Sequence, residues 1–174
     1  MTTVRKNAVW LFLVVLAATL ETTWIEHIRM YDVVPNLTLL MVVFFAIVDG
    51  EERAMLTGAI GGVFQDVASN AVLGHNVLSN VVVAYATARI AARLITEHPA
   101  AKVALAFGAS IAAGVVYVGV AYVQDPTIAA FHGIVARVVP SAFYTALFTP
   151  LMFFPLDRVF KRKREWALDN GAVS

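Results

Sequence analysis

The chain has 174 residues, 60 % of them apolar, with a net charge of +1 and a mean hydropathy of +0.75. That is one domain's length, and its apolar share exceeds the roughly 45–50 % of soluble domains, so lipid has to solvate the excess. No cysteine is present, which excludes disulfides, thiol catalysis, iron–sulfur clusters and cysteine zinc sites.

Six apolar stretches follow in order, at about 8–24, 36–48, 54–67, 77–94, 101–123 and 134–155, with a basic tail over 156–174. A membrane-crossing helix needs about 20 mostly apolar residues, fewer where protein shields its ends. The expectation is an all-α integral membrane protein, one compact six-helix domain over 1–174. The opening "MTTVRKNAVWLFLVVLAATLE" has the flank and apolar run of a signal peptide. Ala17 and Ala18 make a poor cleavage site, however, and further spans follow, so a retained first span is expected. Pro35, "DGEER", "SNAVLGHN", "TEHP" and "QDPTIAAFHG" punctuate the stretches.

With both termini inside, Arg5, Lys6, Arg53, Arg89, Arg93, Lys102 and the cluster from Arg158 to Arg164 fall on the inner side. The outer side holds only Arg29 and Arg137, which sets a cytoplasmic position for both ends. The "KRKR" segment reads as a stop-transfer anchor, with contact to anionic lipid or a cytoplasmic partner as the sharper alternative.

Helices in lipid associate through small residues at four-residue spacing. The third stretch has Ala54, Gly58, Gly62 and Asp66 in this pattern, the fourth Asn80, Ala84, Ala88 and Ala92, and the fifth Ala104, Gly108 and Ala112. Asp66 ends its stripe near the outer boundary. A carboxylate at mid-bilayer costs about 2.5–3.5 kcal/mol, so it must be paired, protonated or near water. It is either a proton or cation site or a cap on the following turn, where Ser69, Asn70, Gly74 and Asn76 are turn formers and Gly74 suits a left-handed residue. On the cap reading, Asp66→Asn should be tolerated, because an amide oxygen still accepts hydrogen bonds.

Glu21 is a second ion-site candidate, with Arg29 and Arg137 as partners, although a surface-seeking glutamate or local ion pair is the plainer expectation. His27, His75 and His132 share the outer side but lack i, i+4 ligand spacing, so no metal or other cofactor is expected. Trp10, Trp24, Tyr122 and Trp166 fit interfacial anchoring. Pro140 and Pro150 are expected to kink the last helix. There is no HExxH, no Gly-rich phosphate loop with Lys, no GxSxG, and no basic surface for nucleic acid outside the tail. Catalysis is not expected.

"PNLTLLMVVFFAIVDG" and "GAIGGVFQDVASNAVLGHNVLSNVVVAYATARI" together resemble the MreD family of rod shape-determining proteins. The resemblance rests on Pro35, Asn36, Leu39 and Leu40; on Gly58, Gly62 and Asp66; on Leu73, Gly74 and Tyr85; and on the ending "TPLMFFPLDRVFKRKR" with Pro150. Glu21 departs from the glutamine family members often have at this place. The resemblance implies a non-enzymatic inner-membrane subunit of the peptidoglycan elongation machinery. Its implied partner is the bitopic protein MreC and, through it, MreB, RodA and a class B penicillin-binding transpeptidase. It also implies a fold similar to the S components of energy-coupling-factor transporters. The alternative is a vitamin-type S component itself, but the first stretch lacks the Ala-x-x-x-Ala pattern by which such subunits dock their energising partner.

Overall fold

The computed structural model describes residues 3–28, 34–68, 74–94, 98–124, 126 and 134–169. They form α1 (Thr3–Ile28), α2 (Leu37–Val48), α3 (Glu51–Ala68), α4 (His75–Ala91), α5 (Pro99–Gln124) and α6 (Val139–Asp169), with a π-helical turn, Ile134–Val138, leading into α6. No strand occurs among the described residues. The helix ends differ from the sequence reading mainly at the termini. α1 begins before residue 8, and α6 runs on to Asp169, so the tail read from 156 starts as a continuation of that helix.

α2 is the centre of the bundle. Its residues Thr38 to Ala46 are all buried, as expected of a helix that is apolar all round. α1, α3, α4, α5 and α6 pack around it. At about 1.5 Å per residue it is about 18 Å long, well short of a hydrocarbon core of about 30 Å. α5 and the segment Ile134–Arg158 are long and apolar enough to cross a membrane, while Asn7–Thr23 and Leu37–Val48 are shorter apolar helices. Phe44 and Phe45 pack edge-to-face on each other and on Phe160, and Phe44 also packs on Phe153. These contacts tie α2 to α6.

α3 and α4 meet backbone to backbone. A Cβ on Gly58 would lie 2.9 Å from the Asn80 carbonyl oxygen, and one on Gly62 would lie 2.6 Å from Val77 Cα. The stripe Ala54, Gly58, Gly62, Asp66 is buried throughout, and Asn80, Ala84 and Ala88 face it from α4. The stripe read on α5 is on the wrong face. Ala104, Gly108 and Ala112 are exposed, and the buried residues are Lys102, Leu105, Ala106, Ala109, Ser110 and Ala113. The close-contact glycine of α5 is Gly114, where a Cβ would run into the Val138 side chain.

One aromatic expectation also changes. Trp10 is a core residue rather than an interfacial anchor. Its indole N–H donates to Thr57 Oγ1 at 2.9 Å, and the Arg53 guanidinium lies 4.9 Å over its ring. Tyr122 is exposed, and the side chains of Trp24 and Trp166 lie outside the described residues. Pro140 is the second residue of α6, directly after the π-helical turn, and Pro150 and Pro155 lie inside the helix.

At the end of the bundle where α5 begins, Lys102 Nζ donates to Asp157 Oδ2 at 2.6 Å and lies 5.7 Å over the Phe153 ring. This pair joins α5 to α6. Lys102→Met should lower stability by about 1–2 kcal/mol, because Asp157 keeps its charge in a half-buried place. Thermal unfolding in detergent measures this, and Lys102→Arg should unfold close to wild type.

Candidate functional site

The other end of the bundle collects the C-termini of α1 and α3 and the N-termini of α2 and α4. A helix start leaves backbone N–H groups without partners and carries a partial positive charge. Each of these two N-termini is met by a carboxylate from a neighbouring helix.

Asp66, 1 % exposed, closes the start of α4. Its Oδ2 accepts from Gly74 N at 2.8 Å and Val77 N at 3.4 Å, and its Oδ1 accepts from Asn76 N at 3.0 Å and Asn76 Nδ2 at 2.9 Å. Gly74 reaches this contact at φ +105°, a backbone state that side chains disfavour. The turn-cap reading thus describes the geometry, but the tolerance expected of asparagine does not follow from it. Both oxygens face donors, so an amide would aim its NH2 at N–H groups on one side. Asp66→Asn should cost about 1–2 kcal/mol, and its unfolding temperature against wild type checks this.

Glu21, 9 % exposed, meets the start of α2. Its Oε2 accepts from Thr38 N at 2.9 Å and Thr38 Oγ1 at 2.7 Å, and its Oε1 accepts from Gln65 Nε2 at 2.8 Å. It is neither surface-seeking nor ion-paired among the described residues. Arg137 is not its partner, and Arg29 lies outside the described residues. Asn36 caps the same helix from within, its Oδ1 accepting from Leu39 N at 2.7 Å and from Gln65 Nε2 at 3.3 Å.

The lead-in to α2 is held by α6. Asn36 N donates to Thr145 Oγ1 at 3.0 Å, and Ser141 Oγ donates to the Val34 carbonyl at 3.1 Å. Pro35 between them is buried.

Gln65 joins the two halves of this end, since its Oε1 accepts from Asn80 Nδ2 at 2.9 Å. Glu21, Thr38, Asn36, Gln65 and Asn80 therefore form one buried network. Sequence reasoning singled out Glu21 and Asn36 but not Gln65, Thr38 or Asn80 as their partners. The available signal was Gln65 itself, a polar residue next to Asp66 in an apolar helix. Gly58 and Gly62 carry no chemistry and allow α3 to approach α4 so that Gln65 reaches Asn80. His75 is buried at the start of α4, edge-on to Tyr117 at 5.6 Å. His27 and His132 lie outside what is described of side chains. Among the described residues, no group of three or more His, Asp or Glu could hold a metal ion.

Glu21 and Asp66 serve as hydrogen-bond acceptors for the chain's own helix starts. The described helices thus form an all-helical bundle with a hydrogen-bonded polar network inside and two helices long and apolar enough to cross a membrane. The chain belongs to the family of the rod shape-determining protein MreD, whose model matches residues 2–163. No curated protein and no solved structure matches it. Membership gives the chain a role in rod shape determination, as a membrane protein of the cell-elongation machinery.

Proposed function

We propose that the protein is a non-catalytic scaffold of the peptidoglycan elongation machinery in the bacterial inner membrane, binding the bitopic protein MreC. Through MreC it associates with MreB, RodA and a class B penicillin-binding transpeptidase. In this reading the bundle crosses the membrane six times with both termini in the cytoplasm, as one domain similar in fold to transporter S components. Family membership carries the proposal.

The surface of the bundle supports it. Phe143, Leu147, Leu151 and Phe154 form an exposed apolar ridge along α6, suited to lipid or to a partner's single transmembrane helix. Arg53, Arg89, Arg93, Lys102 and Arg158 gather at one end of the helices, the end assigned to the cytoplasm. Pro35, Asn36, Gly58, Gly62, Asp66, Gly74 and Glu21 have the role of shaping the opposite end so that the ridge and the outer surface keep their form.

The test is purification of the tagged chain in mild detergent with its native membrane partners. A bitopic coiled-coil protein is expected to co-purify in stoichiometric amount. Co-purification of an ATPase pair, without that protein, would overturn the scaffold in favour of a solute carrier.

A further inference from the structure

A cavity of about 230 Å³ opens at the end of the bundle where α2 and α4 begin, between those helices, α5 and the π-helical turn. At about 30 Å³ per water it holds a solute of roughly eight water volumes. Its wall includes Asn36, Asn80, Ser110, Tyr117 and Arg137, with no carboxylate among the described lining residues.

The polarity of this wall is set from behind. Glu21 Oε1 accepts from the NH2 of Gln65, whose carbonyl oxygen is turned toward Asn80. Asn80 then gives its NH2 to Gln65, which leaves its carbonyl oxygen for the cavity. Asn36 spends its oxygen on Leu39 N and Gln65, which leaves its NH2 for the cavity. The hydroxyls of Ser110 and Tyr117 have no hydrogen-bond partner among the described residues, and both can donate or accept.

Charge completes the pattern. The two helix starts at this end are already matched by Glu21 and Asp66, whereas Arg137 has no ion pair among the described residues. The turn that carries Arg137 is seated against α5 at Gly114, where Val138 leaves no room for a Cβ. A guanidinium at the edge of an apolar bundle, with no ion pair among the described residues, favours an anion with planar or tetrahedral oxygens.

We propose that this cavity binds a small hydroxylated phosphate ester of the glycerol phosphate type, with the phosphate on Arg137 and a hydroxyl on the Asn80 carbonyl oxygen. The same chemistry occurs in a free polyol phosphate and in the headgroup of phosphatidylglycerol. This reading is independent of the scaffold proposal, because it concerns the isolated chain.

The experiment is native mass spectrometry of the full chain, delipidated in an uncharged detergent, with glycerol 3-phosphate in one arm. The other arm adds phosphatidylglycerol, with phosphatidylcholine as its control. One bound molecule per chain is expected from at least one probe, with phosphatidylcholine failing to saturate. Arg137→Gln should weaken binding about tenfold, the loss of one charge-assisted contact. Arg89→Gln, at the far end, should leave it unchanged.

Binding of glycerol 3-phosphate assigns the site to a soluble ester, and binding of phosphatidylglycerol alone assigns it to the lipid. Failure of both probes overturns the proposal. So does binding that Arg137→Gln leaves intact while that variant unfolds at the wild-type temperature.

Discussion

Replacing Gly62 by leucine is expected to remove most of the folded protein recovered from membranes. The missing Cβ would lie 2.6 Å from Val77 Cα, 2.7 Å from Val77 N and 2.9 Å from the Asn76 carbonyl carbon. All three are main-chain atoms, so no rotamer change relieves the clash and α3 must move away from α4. Overpacking alone costs about 1–3 kcal/mol. Separation also pulls Asp66, one turn along α3, away from Asn76 and Val77, and each lost bond to a buried acceptor costs about 1–3 kcal/mol more.

The sum approaches a typical domain's whole stability of about 5–15 kcal/mol. Gly108→Leu is the matched control, because Gly108 is exposed with nothing within 4 Å of its would-be Cβ. It should be neutral or slightly stabilising, since leucine exceeds glycine in helix propensity by about 0.8 kcal/mol. The readout is the monodisperse peak in fluorescence-detected size exclusion. Equal recovery of the two variants would remove the close-packing argument.

The same pair of glycines shows how far the sequence could be read. The stripe on α3 was legible because glycine in a membrane-grade helix is costly unless a neighbour's backbone comes close. The stripe on α5 was not, because alanines at four-residue spacing arise on any face of an alanine-rich helix. Only the partners decide which face is buried, and they are α4, α6 and, at Gly114, Val138 on a π-helical turn that no periodicity announces. Trp10 misled for a similar reason. Its place near the end of an apolar run suits an interface, but Thr57 on α3 offers its indole an acceptor in the core.

The carboxylates divide in the same way. The turn formers from Ser69 to Asn76 lie within a dozen residues of Asp66, so its task is local and could be read. Glu21 acts on Thr38, 17 residues away, and on Gln65, 44 residues away. Such contacts follow from the packing of α1 and α3 on α2, which nothing near Glu21 encodes.

Glu21→Leu should lower stability by roughly 3–4 kcal/mol, the second-largest effect expected in this chain. Thr38 N and Thr38 Oγ1 would lose this acceptor and Gln65 Nε2 would keep only Asn36 Oδ1, at about 1–3 kcal/mol for a stranded buried donor. The start of α2 would also lose its facing negative charge. Glu21→Gln tests the polarity of the network more sharply. A glutamine can turn its oxygen to Thr38, but its NH2 then meets the NH2 of Gln65. Gln65 must flip, and Asn80 must flip after it, so the single substitution should cost about 1–2 kcal/mol.

Adding Gln65→Glu supplies an acceptor for both the new Gln at position 21 and the NH2 of Asn80. The double variant should therefore recover most of what Glu21→Gln loses, although Gln65→Glu alone sets two carboxylates against each other and should be the worse single change. A double-mutant cycle on thermal unfolding measures this, with a favourable coupling above about 1 kcal/mol expected. Additive effects would mean that the amides do not act as one oriented chain from Glu21 to Asn80.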